Sequence, residues 1–203
     1  SSSSISNSYA TGNVTGSSNF VGGLVGSSSS SISNSYATGT VSGIERVGGL
    51  VGYSSSSSIS NSYATGAVTG TSNVGGLVGY SYSSISNSYA TGNVTGYSTH
   101  VGGLVGTGYS SSNTASITNC YATGDVVGSG KYVGGLAGYS PFIIENSYAS
   151  GTVIGQDKYT GGLVGYSCSF SSISNSYATG NVIGISHNIG GLEGESSSSS
   201  ISN

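Results

Sequence analysis

Ile5-Ser6-Asn7-Ser8-Tyr9-Ala10-Thr11-Gly12 opens a stretch that runs through Val14 to Val21-Gly22-Gly23-Leu24-Val25-Gly26. This stretch decides the fold because it recurs along the whole chain. Further copies of the octapeptide begin at Ile32, Ile59, Ile85 and Ile173, variants begin at Ile117 and Ile144, and an eighth copy starts at Ile201. Successive starts lie 27, 27, 26, 32, 27, 29 and 28 residues apart. Gly-Gly-Leu recurs at 22, 48, 75, 102, 134, 161 and 190. Between the two motifs a valine recurs at Val14, Val41, Val68, Val94, Val126, Val153 and Val182. A fixed period of this size is the mark of stacked structural units.

Each unit reads as three short strands joined by Gly or Ser turns. Ile5, Asn7 and Tyr9 alternate with Ser6 and Ser8, the period of a strand with one buried face. Val14 marks a second brief strand. Val21 and Leu24 flank Gly22-Gly23 in a third strand that carries a bulge or sharp corner. Nothing repeats at helical spacing. One such unit cannot bury its apolar face, whereas stacked units can, each strand pairing with its copy one coil away at ~4.8 Å. The expected fold is therefore all-β: a parallel, three-sided, right-handed β-solenoid of seven coils of about 28 residues, roughly 34 Å long. Residues 1–203 form a single array, with coils starting near Ile5, Ile32, Ile59, Ile85, Ile117, Ile144 and Ile173. The link after the third strand absorbs the length differences, which leaves the stack intact. Neither end carries a cap, and both lie at the same phase of the repeat. This suggests one stretch of a longer repetitive protein, or rods that stack end to end.

Composition narrows the function. The 203 residues include 37 Gly and 1 Pro; charged residues are 4%, hydrophobic residues 34%, and the net charge is −3. Of the glycines, 35 fall in the five rows of Gly12, Gly16, Gly22, Gly23 and Gly26; Gly108 and Gly130 lie in links. The glycines thus mark corners and close approaches, not disorder. Three basic residues cannot build a phosphate-binding surface, so no nucleic-acid partner is expected. No apolar run approaches the ~18 residues of a membrane helix. There is neither a signal peptide nor a starting Met, as in a mature chain or an excised piece.

Stacking turns equivalent residues into rows. Tyr9, Tyr36, Tyr63, Tyr89, Tyr121, Tyr148 and Tyr177 are expected as an inward column of rings. Asn7, Asn34, Asn61, Asn87, Asn119, Asn146 and Asn175 are expected as a core ladder bonded amide to amide. The Ser6 and Ser8 rows then face outward. A partial row of Tyr53, Tyr80, Tyr139 and Tyr166 lies outside the core, with Tyr82, Tyr97 and Tyr109 nearby. Exposed aromatic rows suit sugar rings or another rod, or simply cover a corner.

Gly-Gly-Leu-Val-Gly preceded by Asn-Ser-Tyr-Ala-Thr-Gly-x-Val resembles the GLUG repeat, over essentially the whole chain. Such repeats occur in large bacterial and archaeal surface or secreted proteins, including adhesin-like chains and some peptidases. The resemblance implies an extracellular or cell-surface segment and brings no catalytic residues. Glu193 departs from it, standing where other copies have Val or Ala. Either that row faces solvent, or the last coil tolerates a carboxylate.

No catalytic set emerges, and neither an enzyme nor a cofactor is expected. Glu45, Asp125, Glu145, Asp157, Glu193 and Glu195 are scattered. Asp157 and Lys158 read as a surface pair, and His100 and His187 lie three coils apart, about 14 Å, too far to share a metal. Cys120 replaces an outward Ser and Cys168 lies nearly two coils on, so both are expected to be free. Asn13 and Asn93 head Asn-Val-Thr sequons and are candidate glycosylation sites. The leading expectation is a structural segment, a stiff filament or adhesin stalk whose partner is itself, end to end and side by side. The alternative is a carbohydrate-binding module using the exposed Tyr rows. Ice binding is less favoured, because the outward pairs beside the second strand are irregular.

Overall fold

The computed structural model describes residues 4–55, 58–110, 114–168, 171–197 and 200–202. Among these every strand is short, every pairing is parallel, and each strand pairs only with its equivalents in the neighbouring coils. The chain is a parallel β-solenoid. Its ladders are in register at the repeat: Ile5 pairs with Ile32, Tyr9 with Tyr36, Val14 with Val41, Val21 with Val47 and Val25 with Val51. The 32-residue step keeps the same register, Ile85 against Ile117, with the surplus held in the corner loop.

The three expected strands are divided into five ladders, represented in the first coil by Ser4–Ser6, Tyr9–Ala10, Val14–Thr15, Asn19–Gly22 and Val25–Ser28. The third strand breaks at Gly23-Leu24, the corner that the paired glycines announced. The first breaks at the Asn7 row, where all seven asparagines take a left-handed backbone with φ between 47° and 54°. Asn tolerates that region better than other side chains.

This corner corrects three of the expected rows. Period-2 alternation does not survive a left-handed residue, so the parity after Asn7 is shifted by one position. Ile5 still points inward, but Ser8 and Ala10 follow it and Tyr9 points outward. The Asn row is exposed along its length and is not a core ladder; one amide–amide bond, Asn119 Nδ2 to Asn87 Oδ1 at 3.2 Å, is present among the described residues. The Tyr row does stack, with centroids 4.7–5.2 Å apart and planes within 8° of parallel. It lies on the outside, half-buried in the middle coils and 65% and 52% exposed at Tyr9 and Tyr177. The Ser8 row, expected outside, is buried at Ser35, Ser62, Ser88 and Ser147, and Cys120 is buried in the same row.

The core has two cells. Ile32, Ala37, Leu50 and Val51 and their equivalents fill the larger one, and the Val14 and Val21 rows fill the smaller. A methyl at Gly23 would sit 2.9 Å from Ala37 of the larger cell and 3.3 Å from Val41 of the smaller, so this glycine row runs along the seam between them. Each fully buried Ile or Leu stabilises the fold by roughly 1.5–3 kcal/mol. The buried serines are satisfied along the axis: Ser35 N–H donates to Ser62 Oγ (3.2 Å), whose own hydroxyl donates to the Ser60 carbonyl (2.7 Å). The Val25 row is also inward, so Glu193 occupies a core row in the last described coil. There it is partly buried and accepts from Ser167 Oγ at 2.5 Å.

Three substitutions test this packing. Gly76→Ala would drive a methyl into the Gly103 carbonyl oxygen and to 2.8 Å from Ala90, so thermal or denaturant unfolding should show a loss of about 3 kcal/mol or more. Gly12→Ala, with nothing within 4 Å, should change stability little. Ser62→Ala removes the acceptor of one buried N–H and the donor to one carbonyl; a loss of about 1–3 kcal/mol is expected in the same measurement.

Candidate functional site

Each coil has a second left-handed corner, at the residue before the Val21 row. Phe20, Arg46, Asn73, His100, Tyr132, Tyr159 and Asn188 occupy it with φ between 53° and 69°. Asn fits such a backbone, whereas bulky side chains carry a strain of about 1–2 kcal/mol each. Five of the seven coils hold a bulky side chain here. Strain kept at one repeated position points to a use for those side chains.

Beside this corner row runs another, in the fifth ladder: Ser27, Tyr53, Tyr80, Thr107, Tyr139, Tyr166 and Glu195. The two rows interlock into one strip along the rod. Arg46 Cζ lies 4.9, 5.3 and 5.2 Å from the ring centres of Phe20, Tyr53 and Tyr80, and its Nε is 3.5 Å from Glu45 Oε1. Thr107 Oγ1 donates to Asn73 Oδ1 at 2.7 Å. His100 stacks on Tyr132 at 4.8 Å and meets Tyr139 edge-on at 5.8 Å. Tyr132 lies over Tyr159 and Tyr139 over Tyr166, each pair within 6° of parallel, while the two columns meet at 78–84°. Rings within each column stack and the two columns meet edge to face, so the four tyrosines form one half-buried aromatic cluster. Asn188 and Glu195 close the strip with a side-chain hydrogen bond.

The strip tunes its own groups. Burial pulls the His100 imidazole down to about 4, which makes it neutral at neutral pH; its Nδ1 lies 2.9 Å from Thr99 Oγ1. Burial, followed by a hydrogen bond with Tyr82, pushes the Tyr80 phenol up to about 12. Burial and then a hydrogen bond with the Cys168 thiol raise Tyr139. These phenols are neutral donors and acceptors.

Tyr53, Tyr80, Tyr139 and Tyr166 thus sit together on the surface, half-buried. Tyr82 and Tyr109 join the lower end, their rings 4.7 Å apart, while Tyr97 is 63% exposed. Phe20, Arg46, His100, Tyr132 and Tyr159 escape a search for constant residues, because their row varies from coil to coil. The signal is that variability, set just before each Gly-Gly. Asn13 and Asn93 are exposed, and their Oδ1 atoms accept the backbone N–H of Thr40 and Asp125 in the next coil, both at 2.9 Å. Asp125 fills the same role for Thr152 at 2.8 Å. Asp157 Oδ1 accepts the Lys158 backbone N–H at 2.8 Å, so that carboxylate caps a turn. Cys120 and Cys168 are free thiols, and burial pushes Cys120 up to about 11. Among the described residues no group of three His, Cys, Asp or Glu could hold a metal ion.

Stacked coils with unbroken ladders and no helix among the described residues define a β-solenoid repeat protein. Six consecutive segments, 18–42, 43–69, 70–95, 97–127, 129–154 and 157–183, match the GLUG motif. They cover well over half the chain, which belongs to the GLUG-motif repeat family. Each match runs from the neighbourhood of one fourth ladder to the third ladder of the next coil, so the motif spans the variable corner. No curated protein and no solved structure matches the chain.

The neutrality of His100 can be measured by following its ring carbons by NMR through a pH titration. A midpoint near 4 is expected; one near 6.5 would show an imidazole in contact with water. The sign for stability follows. Between 6.5 and 4 the unfolded chain binds the proton and the folded one does not, so stability falls as pH drops through that window. His100→Asn, the residue of the coil before, should remove that part of the fall.

Proposed function

We propose that this chain is an extracellular structural segment, a stiff stalk or filament built by continuous β-solenoid stacking. The observation that carries this reading is the in-register parallel pairing of all five ladders from coil to coil. A rod so made resists bending and pulling through its backbone hydrogen bonds. A coil's inward rows are covered only by a neighbouring coil: Ile189 and Ile201, in the last described coils, are 41% and 56% exposed, against essentially none for the inward isoleucines of the middle coils. Open ladder edges recruit strands. With 4% charged residues, little repulsion opposes side-by-side association either.

Electron microscopy of the purified chain tests the reading. Straight rods lengthening by whole copies are expected, and dispersed single particles at high concentration would contradict end-to-end stacking. Glu193 gives a finer test, since a carboxylate in an inward row is costly to cover with another coil. Glu193→Val, restoring the residue of most other coils, should lengthen the rods.

A second reading is favoured by the aromatic strip: adhesion to carbohydrate, in which the crossed Tyr columns pack against sugar rings while phenol and Thr hydroxyls bond their edges. Binding of soluble glycans in an array, lost on Tyr139→Thr with Tyr166→Thr, would support it. Thr107 shows that the row accepts threonine.

A further inference from the structure

The chain has three basic residues and two histidines in 203 positions. All five lie in two adjacent rows, the corner row of the strip and the row just before it. The corner row holds Arg46 and His100. The row just before it runs Asn19, Glu45, Ser72, Thr99, Lys131, Lys158 and His187, aligned by the strand register and by the backbone bonds Asn73 to Thr99, His100 to Lys131, Tyr132 to Lys158 and Tyr159 to His187. No other row of the repeat surface carries a basic side chain or a histidine, and this segregation sets these two rows apart. Within them the roles differ. Arg46 is caged by three rings and paired with Glu45, and His100 is neutral. Lys131 and Lys158, one coil apart, have no ion-pair partner among the described residues, and Lys131 is exposed. Two ammonium groups about one coil rise apart repel by about 1 kcal/mol in water, and an anion laid between them reverses that sign. Tyr132 and Tyr159 directly follow the two lysines in the chain, and their rings meet Tyr139 and Tyr166 edge-on.

We propose that Lys131 and Lys158, with Tyr132, Tyr159, Tyr139 and Tyr166 of the upper half of the strip, bind a linear acidic polysaccharide, one that carries carboxylates on its sugar rings and lies along the rod axis. The inference rests on the carbohydrate reading above and adds its charge class. The occupant follows from the two chemistries present. Cations in register, at one per coil, match an anion repeated along a polymer. Tyrosine rings at the same repeat, two per coil, offer half-exposed ring surface and phenol hydroxyls to successive sugar rings, which a polyanionic peptide does not present. Asp157 and Glu145 do not fill the anion's place, since Asp157 caps the Lys158 turn and Glu145 lies in the first ladder.

The repeat supplies its own test variants. Ser72 and Thr99 stand where the lysines do, so Lys131→Ser with Lys158→Thr keeps residues the fold already accepts; circular dichroism checks that it has. Affinity electrophoresis of the full chain at 50 mM NaCl would use gels carrying sodium polygalacturonate, dextran or poly-glutamate. The chain should be retarded by polygalacturonate, at least tenfold less by dextran and by poly-glutamate, and the lysine variant should lose about tenfold in affinity. High salt should abolish the retardation. Equal retardation by dextran, or a lysine variant that binds as well, overturns the acidic class and leaves the carbohydrate reading standing. Equal retardation by poly-glutamate overturns the polysaccharide as occupant. No retardation by either polysaccharide overturns both.

Discussion

The backbone hydrogen bond from one coil to the next is the interaction on which everything else rests. A coil of this length has no partner within itself for most of its amides. It finds them only in a neighbour of the same shape, as Leu50 N–H to the Leu77 carbonyl and Leu77 N–H to the Leu104 carbonyl show at the Gly-Gly-Leu corner, both at 2.9 Å. Matching shape requires matching sequence at every bend, which is why the repeat is kept so strictly. It also requires room. At the Gly23 row the backbones of adjacent coils pass so closely that a Cβ would strike a carbonyl of the next coil, and at the Gly22 row it would strike the Val25-row carbonyl across the corner of its own coil. The glycines are there because the hydrogen bonds leave no space for anything larger.

This constraint explains which features could be read from the residues. The period, parallel pairing, register and the Gly-Gly corner all follow from repetition and apolar spacing, whereas the Val25 row, where Glu193 stands, could face either way on the residues alone. The parity of Ser8, Tyr9 and Ala10 does not follow either, because strand alternation ends at a left-handed residue such as Asn7. A single left-handed residue transferred a buried position from Tyr to Ser and Ala. Asn in a strand of a strict repeat is therefore better read as a corner. The buried serine ladder was hidden for a related reason. A hydroxyl suggests solvent until an N–H one coil away is seen to need an acceptor.

The candidate site was half legible. Tyr53, Tyr80, Tyr139 and Tyr166 stand out as an aromatic row, but their companions do not, because the neighbouring corner row has no constant residue. Constancy is needed only where side chains face inward or backbones meet. The second left-handed corner turns its side chain out of the coil, so Phe20, Arg46, Asn73, His100, Tyr132, Tyr159 and Asn188 can differ while the ladders beneath them stay the same. Constraint is separated by row: the scaffold is written in the constant positions, and the surface strip is left to the variable ones.

The central claim is that each repeat advances the chain by one coil rise, however many residues the repeat contains. Pulsed electron–electron spin resonance on nitroxide pairs, with both cysteines replaced, tests it most directly. With one label at the exposed Thr11 and the second at Thr91, Thr123, Ser150 or Thr179, the separations should be about 14, 19, 24 and 29 Å. The step from Thr91 to Thr123 should equal the others although its repeat is the longest, at 32 residues. Separations that grow with the number of intervening residues, or distributions too broad to show a common step, would contradict the account.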